Sequence, residues 1–287
     1  MAELIPGKTR ILIVGLGLIG GCYADGLSAA GFEVGAVDKR QAALDHALAR
    51  GLIRHGSTSV DADYVGSFDL AVFALYPHVF VDWIEKYGRL LRPGALVTDV
   101  TGVKGGLVYR IQELLDGRAE FVPAHPMAGK EVGGVENSDR RIFSDANFII
   151  TPTPANSGRG VEAVRELAGL LGFRKVSVLS PEAHDEMIGF LSQLTHCIAV
   201  ALMDCRESGH FADYTGDSFR DLTRIARINE DMWTELFLEN REVLLRQMDL
   251  FMQAFGELRG ALAASDADTM KEMMRLSTMR RARFDKD

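Results

Sequence analysis

Cysteine is scarce in this chain. Cys22, Cys197 and Cys205 are the only three in 287 residues, and no two stand in C-x-x-C spacing. That excludes a disulfide framework and a cysteine zinc site, and it fits a reducing compartment. Basic residues are in deficit: 32 Lys and Arg against 40 Asp and Glu give a formal net charge of −8. A nucleic-acid binder usually shows the opposite balance. A small anionic ligand is still compatible, because a few local arginines outvote the global sign. No apolar run approaches the ~20 residues of a membrane helix. Met1 to Arg10 shows no apolar h-region of a signal peptide, so a cytoplasmic chain with no membrane span is expected. Internal repeats and low-complexity segments are also lacking.

What remains is an ordinary soluble composition, 47% hydrophobic and 25% charged. The length is enough for a full core and points to two domains. Up to Ser180, short apolar runs alternate with longer amphipathic stretches. Ile11–Val14, Glu33–Asp38, Asp69–Ala74, Ala95–Val100, Glu120–Pro123, Asn147–Ile150 and Lys175–Leu179 read as strands. Continuously apolar strands separated by helical stretches predict an α/β fold, a doubly wound, mostly parallel sheet of Rossmann type covered on both faces. After Ser180-Pro181 the period changes. Glu182–Cys205, Asp231–Arg259 and Asp266–Arg283 carry helical periodicity and no strand signal appears. The expected domains are therefore 1–180, nucleotide-binding, and 181–287, all-helical. Phe237, Val243, Leu244, Met248, Phe251, Met252 and Phe255 form an apolar stripe in the helical part. It suits a buried core and a subunit interface equally.

Gly15-Leu-Gly17-Leu18-Ile19-Gly20 follows the first strand directly. In a dinucleotide fold the first glycine makes the tight turn. The second admits the pyrophosphate against the backbone, and the third lets helix and strand pack closely. G-x-G-x-x-G alone is a weak signal. Here it stands between a strand and a helix, and Asp38 ends the next strand at close to the expected spacing. A carboxylate there binds the ribose hydroxyls and repels a 2′-phosphate, which favours NAD over NADP. Lys39 and Arg40 soften that repulsion. Cofactor contacts are expected at Gly15, Gly17, Leu18, Ile19, Gly20, Asp38 and Arg40.

A second constellation lies at the carboxyl edge of the sheet, where ligands of such folds bind. It is His125-Pro-Met-Ala-Gly-Lys130-Glu131. A histidine there suits a general base near neutral pH, although a lone His before Pro is more often structural. In the helical half, Ser192 and His196 share a helical face at i and i+4, as do Arg220 and Arg224. Arginine forks suit carboxylates. No histidine spacing matches a metal site. His184, in the first turns of a helix, reads as structural.

Together these segments resemble the prephenate/arogenate dehydrogenase family over nearly the whole chain. The likeness rests on Gly15–Gly21, Thr98-Asp-Val-Thr-Gly-Val-Lys104, His125–Glu131, Leu191-Ser-Gln-Leu-Thr-His196, and Phe219–Ala226 followed by Met232-Trp233. It implies a nucleotide domain joined to a helical dimerisation domain. It further implies an oxidative decarboxylation in which His125 accepts the proton of the ring hydroxyl as hydride passes to NAD. Arg224 would bind a substrate carboxylate, and Ser192, His196 and Arg220 would line the pocket. Glu131 and Lys130 would stand at its mouth, and Trp233 would help to wall it. The family commonly has a serine against the catalytic histidine where this chain has Gly102, so the Thr101 hydroxyl is expected to orient His125. Lys130 and Arg220 tilt the expectation from arogenate toward prephenate. A β-hydroxyacid dehydrogenase would use a lysine in the helical half, and none lies between Lys175 and Lys271. A dinucleotide-binding regulator without catalysis rests on Gly102 alone.

Overall fold

The computed structural model describes residues 4–130, 132–207 and 209–285. Its larger sheet holds six parallel strands, β1 (Arg10–Val14), β2 (Glu33–Val37), β3 (His55–Ser57), β4 (Leu70–Phe73), β5 (Ala95–Asp99) and β6 (Ala119–Phe121). Their order is β3-β2-β1-β4-β5-β6, the doubly wound order of dinucleotide-binding folds. Side chains alternate across a strand. Ile11 and Ile13 of β1 join one hydrophobic cluster, with the helix Leu18–Ala29, while Leu12 and Val14 join another on the opposite face. Both faces are thus covered, which is why the strands are apolar without alternation.

The last two expected strands form, but not in that sheet. β7 (Ala124–Pro126), β8 (Asn147–Ile150) and β9 (Lys175–Val178) build a separate three-stranded sheet. β7 runs antiparallel to β8, with His125 opposite Ile149. Apolar content predicts a strand and says nothing about its neighbours. β3 escaped prediction because its three residues carry no apolar run.

Beyond β9 the described residues form only helices and turns. Ser180 caps the first helix, its hydroxyl accepting from the Ala183 N–H. From Pro181 to Asp204 the helix is continuous, with a π turn at Gly189–Gln193. Contrary to the sequence expectation, this helix is long and apolar enough to cross a membrane, with a mean hydropathy of 1.4. Its polar side chains His184, Asp185 and Gln193 are buried and hydrogen-bonded inside the protein, the pattern of a core helix lining a polar site. The single helix expected over Asp231–Arg259 is broken into Glu230–Glu239 and Arg241–Ala263. At the break, buried Asn240 turns its amide to the Asp185 carbonyl (2.9 Å) and to Gln193 Oε1 (2.8 Å). Helix propensity yields there to two buried hydrogen bonds.

Candidate active site

The chain leaves β1 and β4 in opposite directions, which opens a crevice beyond their carboxyl ends. Gly15, at φ +96°, makes the turn, in a conformation that disfavours any side chain. A Cβ on Gly20 would clash with the Gly15 carbonyl, whereas a Cβ on Gly17 would meet nothing within 4 Å. The third glycine therefore serves packing, and the second faces open space in the cleft. Gly17 caps the helix Leu18–Ala29 with no side-chain hydrogen bond, so the positive end of that helix is presented to an anion. Asp38 Oδ2 accepts from the Leu16 N–H (2.6 Å) and Oδ1 from the Arg40 N–H (2.8 Å). The Arg40 guanidinium donates to the Leu16 carbonyl (2.9 Å). Asp38 and Arg40 thus clasp the glycine turn from both sides. This loop fits a dinucleotide: pyrophosphate over Gly17 and the N–H groups of the helix, with ribose toward Asp38.

His125 stands in the middle of β7, and a buried polar frame fixes its backbone. Lys104 is fully buried, its Nζ 2.6 Å from Asp99 Oδ2 and 2.6 Å from the Ala124 carbonyl. Asp99 Oδ1 accepts from the Ala124 N–H (2.9 Å). One ion pair therefore holds both polar groups of the residue before His125. Burial drives the Lys104 pKa down and Asp99 opposes that shift. Thr101 sits within this frame. Its hydroxyl donates to Asp99 Oδ2 and lies 3.1 Å from Lys104 Nζ and from the Val103 carbonyl. The expectation that Thr101 orients His125 gives way to another partner: His125 Nδ1 lies 2.9 Å from His184 Nε2. His184 is fully buried, and its Nδ1 lies 2.8 Å from Asp185 Oδ1. Burial lowers the pKa of His125 well below the usual histidine range, with smaller contributions from His184 and Lys104.

The helical half closes the cleft. Its cavity volume is about 760 Å³, and its lining joins Gly17, Leu18, Ile19 and Gly20 to Thr101, Gly102, His125 and Lys130. From the helical half come Ser192, His196, Arg224, Arg227, Asn229 and Trp233. The His196 ring stacks on Trp233 with centroids 3.7 Å apart, and its Nδ1 donates to the Ser192 carbonyl (2.9 Å). Ser192 lies in the π turn, a wider turn that shifts the phase of the helix between His184 and His196 and is frequent at functional sites. Arg220 is not brought into this lining. It is exposed and pairs with Asp217 at 3.3 Å. The helix carrying it, Asp217–Thr223, ends before Arg224, which opens a 3₁₀ turn, so the two arginines do not share a face. Glu131 lies outside the described residues. Sequence reasoning missed Asp99, Lys104, His184 and Asp185. The available signals were a Lys and an Asp flanking one strand-to-helix loop and a His-Asp pair just inside a helix start.

A doubly wound sheet with a glycine cradle, facing a histidine across a ligand-sized cleft, has the layout of a dinucleotide-dependent oxidoreductase. The family of the chain follows from comparison with known proteins. Residues 24–177 match the prephenate dehydrogenase nucleotide-binding domain, and residues 180–276 match the prephenate dehydrogenase dimerization domain. The chain belongs to the prephenate dehydrogenase family. Among its relatives, the cyclohexadienyl dehydrogenase of Zymomonas mobilis is 28% identical over 92% of each chain. The prephenate dehydrogenase of Lactococcus lactis is 29% identical over 91% of this chain and 73% of that protein. Prephenate dehydrogenase from A. aeolicus, solved with hydroxyphenyl propionate and NAD+, superposes with a TM-score of 0.88 at 30% identity, covering 97% and 99% of the two chains.

Proposed function

We propose that this chain oxidises prephenate to 4-hydroxyphenylpyruvate, with NAD as the acceptor. The observation that carries the reading is the placement of His125, a neutral base, between the glycine cradle and the His196–Arg224 wall within one cleft. NAD, when bound, supplies the hydride acceptor. His125 takes the proton of the ring hydroxyl as hydride leaves the same carbon. Loss of the ring carboxylate as carbon dioxide then delivers its electron pair to the ring. The ring aromatises, and the new phenol oxygen recovers the proton from His125. Arg224 binds a substrate carboxylate, while Ser192 and His196 line the pocket. Asp38 and Arg40 hold the ribose end of the cofactor.

Prephenate is preferred over arogenate on charge. The described lining of the cleft carries Lys130, Arg224 and Arg227. An α-ammonium would be repelled by these cations, whereas an uncharged keto group would not. In the test, NADH formation is followed with prephenate and with arogenate, using His125→Asn as the control. Turnover of prephenate that collapses in the control supports the reading. NAD binding without turnover of either compound would overturn it and favour a regulator.

The assembly we propose is a cytoplasmic homodimer of two-domain chains, 1–180 and 181–287, that engages no nucleic acid or membrane. The apolar stripe of the helical half resolves toward an interface. Leu244 is buried, but Met252 is 57% and Phe255 61% exposed, on the same side of the helix as exposed Phe251 and Leu262. An apolar face of this extent calls for a partner surface, and the match to a dimerization domain supports a second copy as its source.

A further inference from the structure

Accepting a proton demands a bare nitrogen, and a neutral imidazole offers only one of its two. Which nitrogen is bare is decided by the hydrogen bond made at the other. For His125 that decision begins three groups away. Asp185 receives donors on both oxygens. Oδ1 accepts from the Lys104 N–H (2.9 Å) and Oδ2 from the Gly105 N–H (2.7 Å), both at the start of the helix Gly105–Leu115. It can only accept, so His184 Nδ1, 2.8 Å away, carries the proton and donates. A neutral His184 is then bare at Nε2, because burial holds its pKa below the ordinary value against the pull of Asp185. The bare Nε2 stands 2.9 Å from His125 Nδ1, which must donate to it. The proton of His125 is thereby fixed on Nδ1, and Nε2 is left as a lone pair. That nitrogen faces the open side of the loop, where a Cβ on Gly102 would lie 3.8 Å from it. The opposite tautomer would set two lone pairs against each other inside the protein.

We propose that His184 is a positioning residue that, held by Asp185, locks His125 into the tautomer whose Nε2 is free to accept the substrate proton. The inference rests on the assignment of His125 as the base. It also accounts for Gly102, since a chain that sets the tautomer from the Nδ1 side has no need of a hydroxyl at that position.

Two variants separate the two ends of the His184 ring. In His184→Asn the amide sits near the Nδ1 position, so it keeps the bond to Asp185 and loses the acceptor that faces His125. In His184→Gln the amide reaches the Nε2 position and retains an acceptor there. Long-range proton–nitrogen NMR on the NAD-bound enzyme, without substrate, should show His125 protonated on Nδ1 in the parent and not in His184→Asn. The expected kinetics are a fall in kcat of at least about 100-fold in His184→Asn, with KM for prephenate and NAD within about threefold, and recovery of at least about tenfold in His184→Gln. A parent His125 protonated on Nε2, or a His184→Asn enzyme with kcat within about threefold of the parent, would overturn the proposal. If His184→Asn does not fold, the parent spectrum and the His184→Gln kinetics decide. A chain that shows the Nδ1-protonated His125 but does not oxidise prephenate would refute the substrate reading and leave the relay standing.

Discussion

Glu235, on the helix Glu230–Glu239, reaches across the cleft to cap the start of the helix Pro77–Tyr87. Its Oε1 accepts from the His78 N–H (2.7 Å) and its Oε2 meets His78 Nδ1 (2.8 Å). Tyr76, the N-cap residue, makes no side-chain capping bond. Glu235 therefore does the work of an N-cap from the other half of the molecule and ties the β4 exit, which borders the cofactor crevice, to the substrate side. Glu235→Ala is expected to cost about 1 kcal/mol, the usual worth of a lost cap, read by denaturant unfolding. The same variant should raise KM for NAD more than it lowers kcat. A KM for NAD unchanged from the parent would show that the latch serves stability alone.

The pH profile follows from the environment of His125. Burial, aided by His184 and Lys104, lowers its pKa well below the ordinary histidine value, and the other ionisable groups described around the site include Asp99, Asp185, Lys130, His196, Arg224 and Arg227. The reactive form is the neutral one. The acid limb of kcat/KM is therefore expected below the usual histidine pKa of about 6.5, with activity sustained through that pH. The linkage has the same sign. A histidine whose folded pKa is depressed contributes stability that is fully present above the unfolded value and is lost as pH falls from there through the folded value. An acid limb at or above about 6.5 would contradict this account.

Lys104 and Asp99 are both fully buried. Removing one member of a buried pair leaves the other without compensation, at a typical cost of about 3–5 kcal/mol. Lys104→Met should lose stability on that scale in equilibrium unfolding, with little dependence on salt. It should also lower kcat, because Ala124 is released on its carbonyl side and His125 with it. The exposed pair Arg110–Glu85 makes the control: its removal should be close to neutral.

Asp38 holds the Leu16 and Arg40 N–H groups, and on the proposed reading it also meets the ribose. Asp38→Asn removes the negative charge that repels a 2′-phosphate while keeping an acceptor for the turn. The ratio of kcat/KM for NAD over NADP is expected to fall by about tenfold or more, with Arg40 next to the 2′ position. An unchanged ratio would place the cofactor preference elsewhere in the loop.

Local chemistry was the part legible in the sequence. The glycine turn, Asp38 and five of the six strands of the larger sheet are each specified within a few tens of residues, so spacing and apolar runs sufficed for them. His125 could be singled out by the segment around it. Its true partner could not, because His184 is distant in the chain and approaches only when the helical half docks. Thr101 was the natural candidate because it precedes Gly102, where the family commonly has a serine, yet its hydroxyl is claimed by Asp99 and Lys104. Arg220 failed for a related reason: a shared helical face holds only if the helix continues, and this one stops at Thr223. Likewise the strand signals of Asn147–Ile150 and Lys175–Leu179 were sound, while their sheet was set by β7, whose three residues are too few to read.

The path from Asp185 through His184 to His125 crosses from the helical half into the nucleotide-binding half, and one side of each half is unfinished without it. A nucleotide-binding half that folds early, or is cut free by a protease, would hold dinucleotide with its base undirected and the helix start at Gly105 uncapped. On the proposed relay, chemistry waits on the docking of the C-terminal helices, because the groups that direct His125 and cap the helix at Gly105 both come from that half.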